Sequence, residues 1–194
     1  MTKNEEPLWI NYHEIEGNVL FGLVSDTHIP EARQTLYDEL YEAFDNCDYI
    51  LHNGDIHNVI VLDWLMDIAP VIAVRGNGDD GSSGRPVAPN DPRLAHNQLL
   101  NVQGILIGMT HAFPEFPYPG SMPLEDAMQR HWKSTVDIII AGDTHVPHVT
   151  QRDDTLVINS GSPTYPKNLQ TQLGTIGFLE INDGKIDAWI EQLH

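Results

Sequence analysis

Short apolar runs that end in polar or glycine-containing loops recur along the chain: Val19 to Val24, Tyr49 to Leu51, Val71 to Val74, Ile105 to Met109 and Val136 to Ala141. Bounded runs of this length read as buried strands. Between the first three, Glu31 to Asn46 and Val59 to Ile68 place Leu36, Leu40, Ala43 and Phe44, then Ile60, Leu62, Leu65 and Ile68, at helical spacing along one apolar stripe. A β-α-β-α-β beginning predicts a largely parallel sheet with helices on its faces. The second half changes character. Leu94 to Asn101 and Ile105 to Met109 flank Gln103-Gly104, Thr155 to Ile158 follows Asp153-Asp154, and Thr175 to Ile181 and Ile186 to Ile190 flank Asp183-Gly184, all hairpin signals. Leu8 to Glu16 adds a strand ahead of the first core strand, with Gly17-Asn18 as the turn, while Asn77 to Pro92 and Phe113 to Pro123 read as loops. No internal repeat or linker divides the chain, so its 194 residues are expected to form one domain, residues 1–194.

Charge narrows the range of partners. Ten Lys and Arg against 28 Asp and Glu give −18, and the basic residues are scattered rather than clustered. Such a field repels nucleic acids and anionic membranes, so no direct grip on a phosphate backbone through basic side chains is expected. The single cysteine, Cys47, permits no intrachain disulfide, and the opening residues show neither an export signal nor a membrane span. A cytoplasmic protein is the expectation.

The candidate chemistry lies at the ends of the apolar runs. Asp26 and His28 follow the first as Ser-Asp-Thr-His, Asp55 the second as His-Asn-Gly-Asp, and Asn77 the third as Arg-Gly-Asn-Gly-Asp. His111 follows the fourth, and Asp143 with His145 the fifth as Gly-Asp-Thr-His. Any one of these is as readily a capped turn or a structural histidine. Together they are different, because the carboxyl ends of strands in an open α/β sheet line one crevice. Oxygen and imidazole donors converging there are a metal site.

In order and spacing these blocks, Asp26-Thr27-His28, Gly54-Asp55, Gly76-Asn77-Gly78-Asp79, Thr110-His111 and Gly142-Asp143-Thr144-His145, resemble the calcineurin-like metallophosphoesterases, specifically the small single-domain branch of phosphodiesterases. Asn159-Ser160-Gly161-Ser162-Pro163 is similar to a loop of that branch. The resemblance covers nearly the whole chain. It implies a four-layer α/β/β/α sandwich, two mixed sheets flanked by helices. It also implies two divalent cations, Mn²⁺ foremost, with Mg²⁺, Fe, Ni²⁺ or Zn²⁺ as alternatives. Asp26, His28 and His145 would hold one, Asn77 and His111 the other, with Asp55 between them. Asp143 stands where the family has a histidine, and as a ligand of the second cation it would lower the charge of the loaded site by one and favour harder metals. Asp55, Asn77 and Asp79 would be the catalytic carboxylates and amide, with Asp79 orienting a ligand histidine.

The implied reaction is hydrolysis of a small phosphodiester or nucleotide by a hydroxide bridging the two metals. Gly78 occupies the position where many larger relatives carry a histidine that assists the leaving group, leaving His52, His57 and His148 as candidates by proximity in sequence. Arg75 is a candidate phosphate contact. Phe113, Phe116 and Tyr118, among Pro114, Pro117 and Pro119, read either as a packed surface loop or as a platform for a flat leaving group. Two other readings stand beside the diesterase: a phosphomonoesterase, and a catalytically weak protein-binding scaffold like the retromer subunit that shares the fold. A homo-oligomer through Trp9 or the Phe113 to Tyr118 loop is compatible with the sequence.

Overall fold

The apolar runs read as buried strands build the interior. In the computed structural model, which describes residues 9–81, 85, 87–114, 121–169 and 172–194, successive residues of one strand serve different layers. On β3 (Tyr49–His52), Ile50 faces helices while Leu51 faces a second sheet. On β8 (Ile138–Ala141), Ile138 and Ile140 face the first sheet while Ile139 and Ala141 face a helix on the other side. This two-residue period with apolar side chains on both faces is the signature of a strand buried on both sides.

The first sheet runs β12-β11-β2-β3-β4-β5, with β2 (Val19–Val24), β3, β4 (Val71–Val74) and β5 (Leu94–Ala95) parallel. The antiparallel β11 (Thr175–Asn182) and β12 (Lys185–Gln192) extend it as the terminal hairpin. The second sheet runs β1-β6-β7-β8-β10-β9 and is also mixed. Its remaining strands are β1 (Ile10–Ile15), β6 (Asn97–Val102), β7 (Ile105–Thr110), β9 (His148–Arg152) and β10 (Thr155–Asn159). Phe21, Leu23, Leu51, Ile72 and Val74 meet Leu100, Ile107, Met109, Ile140 and Ile158 between the sheets. Helices α1 (Asp38–Phe44) and α2 (Ile60–Met66) cover the outer face of the first sheet through Leu40, Phe44, Leu62 and Leu65. Helix α3 (Leu124–Trp132) covers the outer face of the second through Ala127, Met128 and Trp132. The result is the four-layer α/β/β/α arrangement with two mixed sheets.

Several sequence expectations are corrected. The helix expected over Glu31 to Asn46 begins only at Asp38, because Tyr37 is extended (φ −78°, ψ 143°). Before it the Ala32 N–H donates to the His28 carbonyl at 2.7 Å and the Arg33 guanidinium stacks on the Tyr37 ring at 3.4 Å. The run Leu94 to Asn101 is not one strand. It splits at His96 and passes from β5 in the first sheet to β6 in the second. The N-terminal strand likewise leaves the sheet of its neighbour β2 and pairs parallel with β6. Helix α3 falls between the expected loop ending at Pro123 and the strand expected from Val136, a stretch for which no element is expected from the sequence. Phe113 stacks on its Trp132 (centroids 5.8 Å apart, planes at 29°) and is core rather than platform. The Phe116 to Pro119 part of that reading lies outside the described residues. No helix among those described is long and apolar enough to cross a membrane.

Candidate metal centre

Five strands from the two sheets deliver their carboxyl ends to one edge. β2 leads into Asp26 and His28, β3 into Asp55, β4 into Asn77, β7 into His111, and β8 into Asp143 and His145. The turns are tied to one another within the first sheet and between the sheets. Asp26 N–H donates to the Gly54 carbonyl at 2.9 Å, and the Asp143 N–H donates to both Asp26 carboxylate oxygens at 3.1 and 3.2 Å. Six residues here are in left-handed backbone, as three Asp-x-His pairs: Asp26 and His28 (φ 54° and 46°), Asp55 and His57 (54° and 65°), and Asp143 and His145 (69° and 58°). Aspartate and histidine are among the side chains found there more often than others, yet the conformation still costs energy and marks turns shaped for something other than stability.

The donor atoms converge. His28 Nε2 lies 3.2 Å from His145 Nε2 and 3.5 Å from Asp55 Oδ2, and His145 Nε2 lies 3.4 Å from Asp26 Oδ1. On the other side His111 Nε2 lies 3.3 Å from Asp55 Oδ1, 3.1 Å from Asn77 Oδ1 and 3.6 Å from Asp143 Oδ1. Asp55 therefore turns one oxygen to each half. Three groups of donors among the described residues satisfy the closeness a single ion needs: Asp26-His28-His145, Asp26-Asp55-His111 and, beside the first, His28-Glu31-His57. Donors each about 2.1 Å from a shared cation stand about 3–4 Å apart, and these separations fall in that range.

Proton positions sharpen the fit. His111 Nδ1–H donates to the Asn53 carbonyl at 2.7 Å and His145 Nδ1–H donates to the Tyr165 carbonyl at 2.9 Å. A carbonyl only accepts, so in the neutral rings both Nε2 atoms carry bare lone pairs. Those lone pairs point at carboxylate oxygens, acceptor against acceptor. A cation or an added proton must lie between. Burial lowers the affinity of the His111 and His145 rings for a proton, but the Asp26 and Asp55 carboxylates outweigh it and raise both pKa values above the usual histidine range. Burial likewise works to raise the Asp26 carboxyl, yet its hydrogen bonds with His145 and His28 hold it well below the carboxylate range. Protons and metal thus compete at the two rings. Mn²⁺ affinity should fall as the pH drops below the raised values, with more protons released per ion bound at pH 6 than at pH 8. Calorimetry in buffers of different ionisation enthalpy checks this. After chelation the same rings stabilise the fold below their unfolded pKa of about 6.5, a contribution lost as the pH rises through the folded values.

The structure brings Asp26, His28, Asp55, Asn77, His111, Asp143 and His145 to one place, with Asn77 and Asp143 on its exposed side. Asp79 is different. Its fully buried carboxylate accepts the backbone N–H groups of His57 (2.7 Å), Gly76 (2.8 Å) and Ile56 (3.2 Å). The expectation that it orients a ligand histidine is therefore corrected: it ties the turn after β4 to the turn carrying Asp55. Arg75 is corrected too, since its two terminal nitrogens donate to the carbonyls of Ala88 and Pro89 at 2.7 and 2.8 Å. Of the three candidate histidines, His52 is fully buried, accepts the Gly54 N–H at 3.2 Å and has its pKa pushed down to about 4 by burial. His148 opens β9.

His57 explains the glycine at 78. A Cβ there would come within 2.3 Å of His57 Nε2, and one at Gly76 within 2.1 Å of Asp55 Oδ1. The His57 ring thus fills the space from which a side chain at 78 would start. It is buried, edge-on to His28 (centroids 4.4 Å apart), with Nδ1 3.6 Å from a Glu31 oxygen. The repeated Asp-x-His spelling, Asp55-Ile56-His57 like Asp26-Thr27-His28 and Asp143-Thr144-His145, is the sequence signal that marks it. Gly78→Ala should lower stability by about 1–3 kcal/mol through overpacking. In the His57→Ala background the penalty should largely vanish, as read from urea midpoints.

A two-sheet α/β frame gathering imidazole and carboxylate donors at one edge is the setting of a metal-dependent hydrolase. Residues 19–184 match the family model for the calcineurin-like phosphoesterase superfamily domain, and the chain belongs to that superfamily. A "Probable metallophosphoesterase" of Methanocaldococcus jannaschii is 32% identical over 163 residues, 84% of this chain and 78% of the relative. Vacuolar protein sorting 29 of Cryptosporidium parvum shares the fold with a TM-score of 0.67 at 18% identity, covering 91% of this chain and 98% of that one. An archaeal protein described as a novel phosphodiesterase does so with a TM-score of 0.60 at 23% identity, covering 89% and 99%.

Proposed function

We propose that the chain is a phosphodiesterase that works with two divalent cations. The observation that carries this is the pair of bare Nε2 lone pairs on His111 and His145, fixed by carbonyls and aimed at carboxylates. Asp26, His28 and His145 would hold one cation and Asn77, His111 and Asp143 the other. Asp55, with an oxygen toward each half, would join them. Such a pair, when bound, supplies an activated water and neutralises charge on the phosphoryl oxygens.

The rest falls to the chain. Tyr165 and Asn53 carbonyls keep the ligand tautomers fixed, and the Gly78 N–H holds Asp55 Oδ1 at 2.7 Å. A cleft of about 380 Å³ lies over the donors, large enough for a phosphoryl group with part of each ester arm. Asp143, an additional hard oxygen donor, supports Mn²⁺ over Zn²⁺. With the His57 ring packed away beneath the turn and nothing but hydrogen at 78, the described residues of the cleft offer no counterpart to the leaving-group histidine of larger relatives. That favours substrates whose leaving group departs unaided.

The test is hydrolysis of bis(p-nitrophenyl) phosphate and of p-nitrophenyl phosphate by the purified protein with Mn²⁺. A higher kcat/KM on the diester is the expected result. A faster monoester would move the assignment to a phosphomonoesterase. No turnover of either with Mn²⁺, Mg²⁺, Ni²⁺ or Zn²⁺ would point instead to the protein-binding scaffold.

A further inference from the structure

The cleft over the donors is acidic. Glu31, Asp55 and Asp143 line it, with the Asp26 carboxylate beneath, and Arg85 is the one Lys or Arg among the described residues lining it. Its guanidinium is already oriented. Nε–H donates to the Glu31 carboxylate, 3.2 Å from Oε1 and 3.3 Å from Oε2. The terminal nitrogens make no hydrogen bond among the described residues, and the side chain is about a quarter exposed. A guanidinium tethered through Nε presents two parallel N–H groups, the fork that matches two oxygens of a phosphoryl group.

The backbone near Arg85 is tied to the metal turn. Arg75 grips the carbonyls of Ala88 and Pro89, the Ala88 N–H donates to the Asp79 carbonyl at 2.8 Å, and Asp80 bridges to Val87. The arginine singled out from the sequence thus supports the segment that presents the other. An aspartate at 143 lowers the positive charge of the loaded site by one relative to a histidine. Arg85, its charge offset by Glu31, brings directed donors rather than net charge to that rim.

We propose that Arg85, oriented by Glu31, binds the two non-bridging oxygens of the substrate phosphoryl group and so determines affinity for phosphate esters. The proposal rests on the phosphoesterase reading, and its test is separable from it. Orthophosphate is titrated calorimetrically into wild type, Arg85→Ala, Arg85→Lys and Arg33→Ala, with Mn²⁺ and with chelator. Loss of a charge-assisted bidentate contact should raise Kd about 10- to 100-fold in Arg85→Ala. Arg85→Lys, which keeps the charge and loses the fork, should fall between. Arg33→Ala, with the same charge change at a side chain that stacks on Tyr37 and does not line the cleft, should match wild type. Mn²⁺ affinity should be unchanged in Arg85→Ala, and adding Asp143→His should recover part of its phosphate affinity. On bis(p-nitrophenyl) phosphate the loss should fall mainly in KM.

Equal phosphate affinity in wild type and Arg85→Ala, an equal loss in Arg33→Ala, or no phosphate binding by wild type would each overturn the proposal. Turnover without an Arg85 effect removes this inference alone. An Arg85-dependent phosphate site without turnover of either ester removes the diesterase and leaves the arginine's role standing.

Discussion

Asp55→Ala should abolish Mn²⁺-dependent hydrolysis, lowering kcat on bis(p-nitrophenyl) phosphate by about three decades or more. The magnitude follows from the several kcal/mol of charge stabilisation a bound metal contributes, at about 1.4 kcal/mol per tenfold in rate. Asp55 is the residue whose two oxygens face both halves, 3.5 Å from His28 Nε2 and 3.3 Å from His111 Nε2. Its removal should also lower Mn²⁺ stoichiometry, from two per chain toward one, in equilibrium dialysis. Asp55→Asn keeps one carbonyl oxygen and should retain more metal while remaining slow. Activity of Asp55→Ala within tenfold of wild type would sink the two-cation assignment.

The largest effect on stability is expected at Asp79. Its carboxylate is fully buried on three backbone N–H groups, and alanine would leave all three without an acceptor. At about 1–3 kcal/mol for each buried donor stranded, Asp79→Ala should cost about 3 kcal/mol or more. Asp79→Asn, with one oxygen left, should lie between. Urea unfolding after chelation measures this without a contribution from bound metal. The two aspartates should separate cleanly: Asp79→Ala loses stability far more than it alters kcat of the folded fraction, and Asp55→Ala does the reverse. A stable Asp79→Ala would mean that the turns at Asp55 and Gly76 hold themselves.

The donor residues were legible in the sequence because each follows an apolar run, and runs of that kind survive as strands whatever sheet they join. Which sheet each strand joins was not legible. Leu94 to Asn101 is interrupted by His96, Asn97 and Gln98, but a polar break alone does not say that the chain changes sheets there, since the switch is set by pairing with β4 on one side and β1 and β7 on the other. Helix α3 has its apolar spacing at Leu124, Ala127, Met128 and Trp132, hidden by the prolines just before it. Asp79 was read as part of the chemistry because it is spelled next to it, yet its carboxylate serves backbone. Arg85 and His57 were hardest. One sits in a Gly- and Ser-rich stretch that promises only a loop, and the other owes its place to a glycine 21 positions later, a relation visible only in three dimensions.

The donor set is divided between the sheets: Asp26, His28, Asp55 and Asn77 come from the first, and His111, Asp143 and His145 from the second. The hydrophobic seam between them is non-directional and would tolerate a small slide of one plate on the other. An ion ligated from both sides would not, and would act as a rivet through two plates. Occupancy would then be a mechanical property of the molecule as well as a chemical one, because shearing the sheets apart and releasing the ions become the same event.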